Sequence, residues 1–331
     1  MNLNVCIIGC GDMGRQHAAG WAARADSQIA SLFDVQPERL CAMASETGAT
    51  GYESYCDAIM QDGIDVVSVC VPACFHSEIS CFAMRNGRHV LCEKPLALTI
   101  DQADEMIDTA DSTGMLLSTS FQYRGFTRVE KMRQLFADGA FGSTVFVRFT
   151  DIREVRPKLA MHMRSMNGGP VIDMSGHFFD LMRYITGKEP ISVYAKGHVF
   201  GKGKDRLSEV DDFAIDAADI QVEMQDSHML NVMVNWGMPE GYPTLTEELL
   251  IGPSMSLRAA SGLVEMVTGT ASETWDMNEG NPPGSSVRIN DIADAIIVGR
   301  QPSVTGEDGR TALRISLAAL ESIETGQIVR L

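Results

Sequence analysis

The stretch NVCIIGCGDMG, residues 4–14, passes from a short apolar run into three glycines, Gly9, Gly11 and Gly14. A buried strand that ends in G-x-G-x-x-G and opens a helix reads as a dinucleotide-binding turn. The glycines permit the tight turn and bring backbone close to a pyrophosphate. Asp12 and Met13, between them, fall in the first helical turn, where N–H groups lack intrahelical acceptors and the helix dipole is positive. The next apolar run, IASLFD (29–34), ends on Asp34. A carboxylate there accepts hydrogen bonds from ribose hydroxyls and repels a 2′-phosphate. Val35 and Gln36 follow it with no adjacent cation, so NAD is expected, with NADP less favoured. Arg39, on the next predicted helix, is placed to swing back toward that phosphate.

The pattern continues outward. NVCIIG (4–9), IASLFD (29–34), DVVSVCVP (65–72), HVLCE (89–93) and LLSTS (116–120) read as strands, apolar throughout as in a sheet buried on both faces. Helices are predicted near 13–24, 37–47, 75–86 and 99–112. Alternating β and α predicts a doubly wound, Rossmann-type parallel sheet over residues 1–121. Beyond residue 122 the texture changes. A helix near 127–138 leads to the strand STVFVRFTDIRE. Later segments alternate apolar and polar: ISVYAKGHVF, FAIDAADIQVEM, HMLNVMVNW, LTEELLIG and SMSLRAA. These predict a second, α+β domain over 122–331, with a large, open, mostly antiparallel sheet covered by helices on one face. GKGKDRLSEVDD and EGNPPGSS read as loops, and Arg310–Thr325 as a closing helix.

Bulk properties narrow the function. A chain of 331 residues suits two domains, and 45% hydrophobic with 21% charged residues is ordinary globular composition. The net charge of −17 argues against nucleic acid as a partner. No apolar run reaches the roughly 18 residues a membrane span needs. The N-terminus has neither the basic nor the long apolar region of a signal peptide, and a cytoplasmic location is expected. All eight cysteines precede residue 93 and none forms a C-x-x-C pair, so neither zinc nor a disulfide framework is expected; most read as small buried thiols.

Two stretches carry candidate chemistry. HVLCEKPL ends the fifth strand at its carboxyl end, the edge that faces the ligand crevice of an open α/β sheet. Lys94 is presented there, with Pro95 fixing the turn. A lysine held beside a cationic nicotinamide titrates lower than usual and can exchange a proton with a hydroxyl. On spacing alone, a surface lysine in a turn fits equally well. GGPVIDMSGHFFD, residues 168–180, places Asp173, His177 and Asp180 one turn apart on one helix face. That face reads as a metal site, a catalytic pair or a core helix. A metal site lacks further ligands in the pattern, and none is expected. Just upstream, DIREVRPKLAMHMR holds Arg153, Arg156, Lys158, His162 and Arg164. The cluster reads either as a solvated loop or as a seat for an anionic substrate group.

Gly9–Gly14, Asp34, CVPACFH, CEKPL and GGPVIDMSGHFFD, in that order, resemble the glucose–fructose oxidoreductase / inositol dehydrogenase (Gfo/Idh/MocA) family. The ending PSVTGEDGRTALRISLAALESIETGQIV resembles that family's C-terminus. The resemblance implies a nicotinamide-dependent dehydrogenase that oxidises a secondary hydroxyl of a sugar, polyol or sugar acid. It implies Lys94, Asp173 and His177 as catalytic residues, with Lys94 beside the substrate hydroxyl and the Lys94–Pro95 peptide cis. It places Val71, Pro72, His76, Glu93 and Pro95 against the cofactor. It turns Tyr123 and Arg124 toward the substrate, with Arg153, His162 and Arg164 as further candidates. The family's frequent Trp-Arg pair is Met163-Arg164 here, so a stacking ring is missing; Asn235 and Trp236 end a strand that reaches the same region or packs. Asp180 reads as structural. Homodimers or homotetramers, joined through the open sheet face, are implied. Two other readings stand beside this one: an NAD-dependent glycoside hydrolase working through transient oxidation, and a non-catalytic NAD-binding sensor.

Overall fold

The structure, a computed structural model, describes residues 2–282 and 286–331. The central residues of the predicted loop 279–286 therefore lie outside the described residues. The chain divides into two compact units, Met1–Gln122 with Pro282–Arg310, and Tyr123–Asn281 with Thr311–Leu331.

The first unit holds six strands: β1 (Leu3–Ile8), β2 (Ser27–Phe33), β3 (Thr50–Tyr52), β4 (Val66–Val69), β5 (His89–Cys92) and β6 (Leu117–Thr119). They form one parallel sheet in the order β3-β2-β1-β4-β5-β6. The order reverses between β1 and β4, the point where a doubly wound sheet opens a ligand crevice at its carboxyl edge. Helices α1 (Asp12–Ala22), α2 (Pro37–Thr47), α3 (Tyr55–Met60), α4 (His76–Arg85) and α5 (Ile100–Thr113) connect the strands. β1, β4 and most of β5 are buried because both sheet faces are covered. Trp21 on α1 is fully buried, and its indole donates to Ser68 Oγ at 2.9 Å. Thr99 caps α5 by accepting from the Gln102 N–H.

The helix Ser286–Val298 completes this core, with Ile289, Ile292 and Ala293 packed on α1 residues. Gly20 allows the close packing: a Cβ there would lie 2.4 Å from Ile289 Cδ1, and that terminal methyl would have to move. The following segment accepts hydrogen bonds from Ser118 and Thr119 on the edge strand β6. Cys6, Cys10, Cys81 and Cys92 are buried, whereas Cys41 is exposed and Cys56, Cys70 and Cys74 are partly so. Burial pushes the Cys6 and Cys10 thiols up to about 12, which leaves them unreactive.

The second unit is built on nine strands. These are β7 (Phe146–Glu154), β8 (Pro190–His198), β9 (Ala217–Met224), β10 (Met229–Met238), β11 (Leu245–Ile251), β12 (Ser256–Ala260), β13 (Leu263–Thr268), β14 (Ala271–Asp276) and β15 (Val329–Arg330). Their order is β14-β13-β12-β11-β7-β10-β9-β8-β15. β7 and β10 pair in parallel and every other neighbour pair is antiparallel. Helices α6 (Thr127–Ala137), α7 (Gly169–Asp173) and α8 (Ser175–Thr186) belong to this unit; Phe178 of α8 stacks on Phe149 of β7 with ring centroids 4.8 Å apart. Arg128 of α6 and Glu248 of β11 form a buried ion pair. Phe146, Leu245, Ile251 and Leu263, at alternate positions along their strands, stay exposed.

The structure differs from the sequence reading over residues 168–180. One continuous helix was expected; the chain instead makes two, broken at Met174. α8 is buried on all sides from Ser175 to Met182, so it has no polar face as such. No helix among the described residues is long and apolar enough to cross a membrane.

Candidate active site

In the first unit, steric demands explain the glycine loop. Gly9 has φ +97°, and a Cβ on it would stand 2.5 Å from the Cys70 carbonyl oxygen. A Cβ on Gly14 would stand 1.9 Å from the Gly9 oxygen. Gly11 differs, because its nearest neighbour would be Arg39 Nη1 at 3.8 Å. Space is therefore left over Gly11, at the N-terminus of α1. Asp34, at the end of β2, is held by two backbone donors: Cys10 N–H to Oδ2 and Gln36 N–H to Oδ1, each 2.7 Å. The carboxylate is fixed beside the glycine loop with lone pairs to spare for ribose hydroxyls. These residues fit a dinucleotide with a free 2′-hydroxyl. Arg39 does lie against this loop, as its position on α2 allows.

Lys94 stands out in its own run. From Leu91 to Ala97 every residue is buried except Lys94. The Lys94–Pro95 peptide is cis. Two buried histidines anchor the turn. His17 Nε2 lies 3.0 Å from Glu93 Oε1, and Glu93 Oε2 accepts the Lys94 N–H at 3.2 Å. Burial alone would raise the Glu93 pKa, but the His17 hydrogen bond and the charges of His17 and Lys94 outweigh it and hold the carboxyl below its usual range. His76 lies between two carbonyls, Nδ1 2.8 Å from Pro95 O and Nε2 2.9 Å from Val71 O. It thereby ties the loop after β4, with Val71 and Pro72, to the loop after β5. Glu93 and His76, both expected to touch the cofactor, are 4% and 1% exposed. Their side chains position loops instead. His17 carries no motif signal beyond its place one helical turn after Gly14.

In the second unit, Gly168 and Gly169 both take left-handed φ, +74° and +70°. A Cβ on Gly169 would meet Ala214 Cβ at 2.6 Å and Ile215 O at 2.8 Å. This turn delivers Asp173 at the end of α7 and His177 in the first turn of α8, both 2% exposed. Asn167 Nδ2 donates to Asp173 Oδ2 at 3.0 Å. The His177 imidazole stacks on Tyr123, centroids 4.2 Å apart and planes 13° from parallel, and Phe126 stacks behind Tyr123. Tyr123 thus holds the imidazole plane, a contact with no sequence signature.

The basic cluster sorts itself by partner. Arg124, expected at the substrate, forms a two-point ion pair with buried Asp180, Nε to Oδ2 at 2.8 Å and Nη2 to Oδ1 at 2.5 Å. Asp180 is structural in the sense anticipated for it. Arg153 is bound by Asp151, which also accepts from Trp236 Nε1 at 3.0 Å. His162 is 1% exposed; its Nε2 accepts the Arg156 N–H at 2.9 Å and so braces backbone, while its Nδ1 is buried with no hydrogen-bond partner among the described residues. Arg164 and Lys158 are exposed. Asn235 turns back on its own strand and accepts the Gly237 N–H. No group of three or more His, Cys, Asp or Glu side chains among the described residues is disposed to hold a metal.

The first unit thus holds a dinucleotide-type glycine turn with Asp34 beside it, and the second unit, taken by itself, buries Asp173 and His177. The description "Oxidoreductase family, NAD-binding Rossmann fold" matches residues 3–121, and "GFO/IDH/MocA C-terminal domain" matches residues 129–258. Together they span more than half of the chain, which belongs to the GFO/IDH/MocA oxidoreductase family. Relatives include a 1,5-anhydro-D-fructose reductase of Ensifer adhaerens, 26% identical over 97% of this chain and 96% of that protein. A myo-inositol 2-dehydrogenase of Thermotoga maritima is 26% identical over 99% and 98%. The fold is shared with the crystal structure of an aldose-aldose oxidoreductase from Caulobacter crescentus complexed with glycerol, TM-score 0.86 at 24% identity over 100% of both chains.

Proposed function

We propose that the chain is an NAD-dependent dehydrogenase that oxidises a secondary hydroxyl of a sugar, polyol or sugar acid. The observation that carries this reading is the isolation of Lys94. It alone reaches solvent in a buried run, at the carboxyl end of a strand beside the sheet's switch point. NAD, when bound, supplies the acceptor for the hydride of the carbinol C–H. The chain's residues do the rest. Gly9–Gly14 and Asp34 hold the dinucleotide. Lys94 and His177 move the hydroxyl proton, and Asp173 balances the charge that this leaves on the imidazole. Tyr123 and Asn167 keep His177 and Asp173 in place.

The protein works in the cytoplasm as a homodimer or homotetramer. The exposed Phe146 and Ile251, paired across neighbouring strands, with Leu245 and Leu263 elsewhere on the large sheet, support that assembly, since exposed apolar residues favour a covering partner.

The test is the near-ultraviolet absorbance of NADH, with NAD⁺ at mildly alkaline pH and a panel of inositols, hexoses and sugar acids. NADH formed with one class supports the reading. Glycoside cleavage without net NADH would favour the hydrolase. NADH binding without either activity would favour the sensor.

A further inference from the structure

Arg156 follows the end of β7 and is the partly buried arginine of the basic cluster that makes no ion pair among the described residues. Its Nε is shut off from solvent and has no hydrogen-bond partner among the described residues. The guanidinium lies 5.6 Å from the Trp236 ring centroid, a wall that orients it without neutralising it. Nearby carboxylates already have donors. Asp151 is held by Arg153 and Trp236, Asp173 accepts from Asn167, and Glu154 accepts the Gly241 N–H. Burial, and then the charge of Arg153, lower the Arg156 pKa despite the attraction of Asp151, Asp173 and Glu154. This partly buried cation makes no direct ion pair among the described residues, and its planar fork matches an oxyanion.

We infer that Arg156, backed by Trp236, seats an oxyanion of the substrate, a carboxylate or a phosphate. This rests on the dehydrogenase reading and narrows its substrate to an acidic sugar derivative. Asp173, whose charge acts on both Arg153 and Arg156, lies in the same unit as Arg156.

The experiment is titration calorimetry of the full chain, with NADH present, against glucose, glucuronate and glucose 6-phosphate, run beside NADH formation from the same three with NAD⁺. Wild type is expected to bind one anionic sugar at least about tenfold more tightly than glucose, the scale of one charge-assisted hydrogen bond. Tighter glucuronate assigns a carboxylate; tighter glucose 6-phosphate assigns a phosphate. Arg156→Gln should erase the difference, and Arg156→Lys should keep part of it. Thermal melting and NADH binding check that both variants fold. Equal binding of all three sugars, or a preference that survives Arg156→Gln, overturns the inference. Arg156-dependent anion binding without NADH formation would keep the seat and sink the dehydrogenase. NADH from neutral glucose alone would keep the dehydrogenase and remove the seat.

Discussion

His177 lies flat against Tyr123, and the pair shows what a single residue contributes here. The stack fixes the imidazole plane, so Tyr123 is a positioning residue for a proton-moving group. Tyr123→Leu should lower kcat about tenfold, with KM for NAD⁺ little changed, because an aromatic stack is worth about 0.5–1.5 kcal/mol. Tyr123→Phe should behave nearly as wild type. Steady-state kinetics of both variants check this; equal losses in the two would assign the effect to the hydroxyl. At this scale the legible features were those set by local backbone or by place on a strand: the tight turn at Gly9 and Gly14, and the strand-end positions of Asp34 and Lys94. Glu93, His162 and Arg124 were harder. Each is claimed by an internal partner, two of them far off in sequence (His17 for Glu93, Asp180 for Arg124), and no local pattern announces such a partner.

At the scale of elements, the break at Met174 separates Asp173 from His177, and the paired glycines before α7 set the approach. Gly169→Ala is expected to destabilise the protein by about 1–3 kcal/mol, from backbone strain at positive φ and the close Ala214 contact. Urea unfolding should show a lower midpoint with an unchanged slope. A midpoint equal to wild type would mean the turn relaxes. The four inner strands of the first sheet and the edge strand β6 were readable from their apolar runs. β3 was not, because its three residues form no apolar run. β13 and β14 were also missed. Ser272, Glu273 and Thr274 are exposed, so no alternation marks the strand. The helix Ser286–Val298 was not read from the sequence, and nothing local shows that it packs in the first unit.

For the whole molecule, burial lowers the pKa of four histidines, His76 among them. His89, His162 and His228 each accept a backbone N–H, from Leu116, Arg156 and Val145, and burial lowers the pKa of each below 6.5. The folded chain therefore resists protonation that the unfolded chain accepts. Their stabilisation is complete above about pH 6.5 and declines as pH falls toward the lower folded values. Glu93, also depressed, adds a loss at still lower pH. Stability measured by urea at stepped pH should fall from about pH 6.5 downward. A flat profile to pH 5 would contradict the neutral, accepting state of these rings.

The central claim is that Lys94 handles the substrate proton while NAD is held by other residues. The most direct measurement compares wild type and Lys94→Ala for NADH formation, using whichever substrate the panel identifies, and for NADH binding by fluorescence. The account predicts turnover lower by roughly 10²–10⁴ with NADH affinity nearly unchanged. Turnover close to wild type in Lys94→Ala would contradict it.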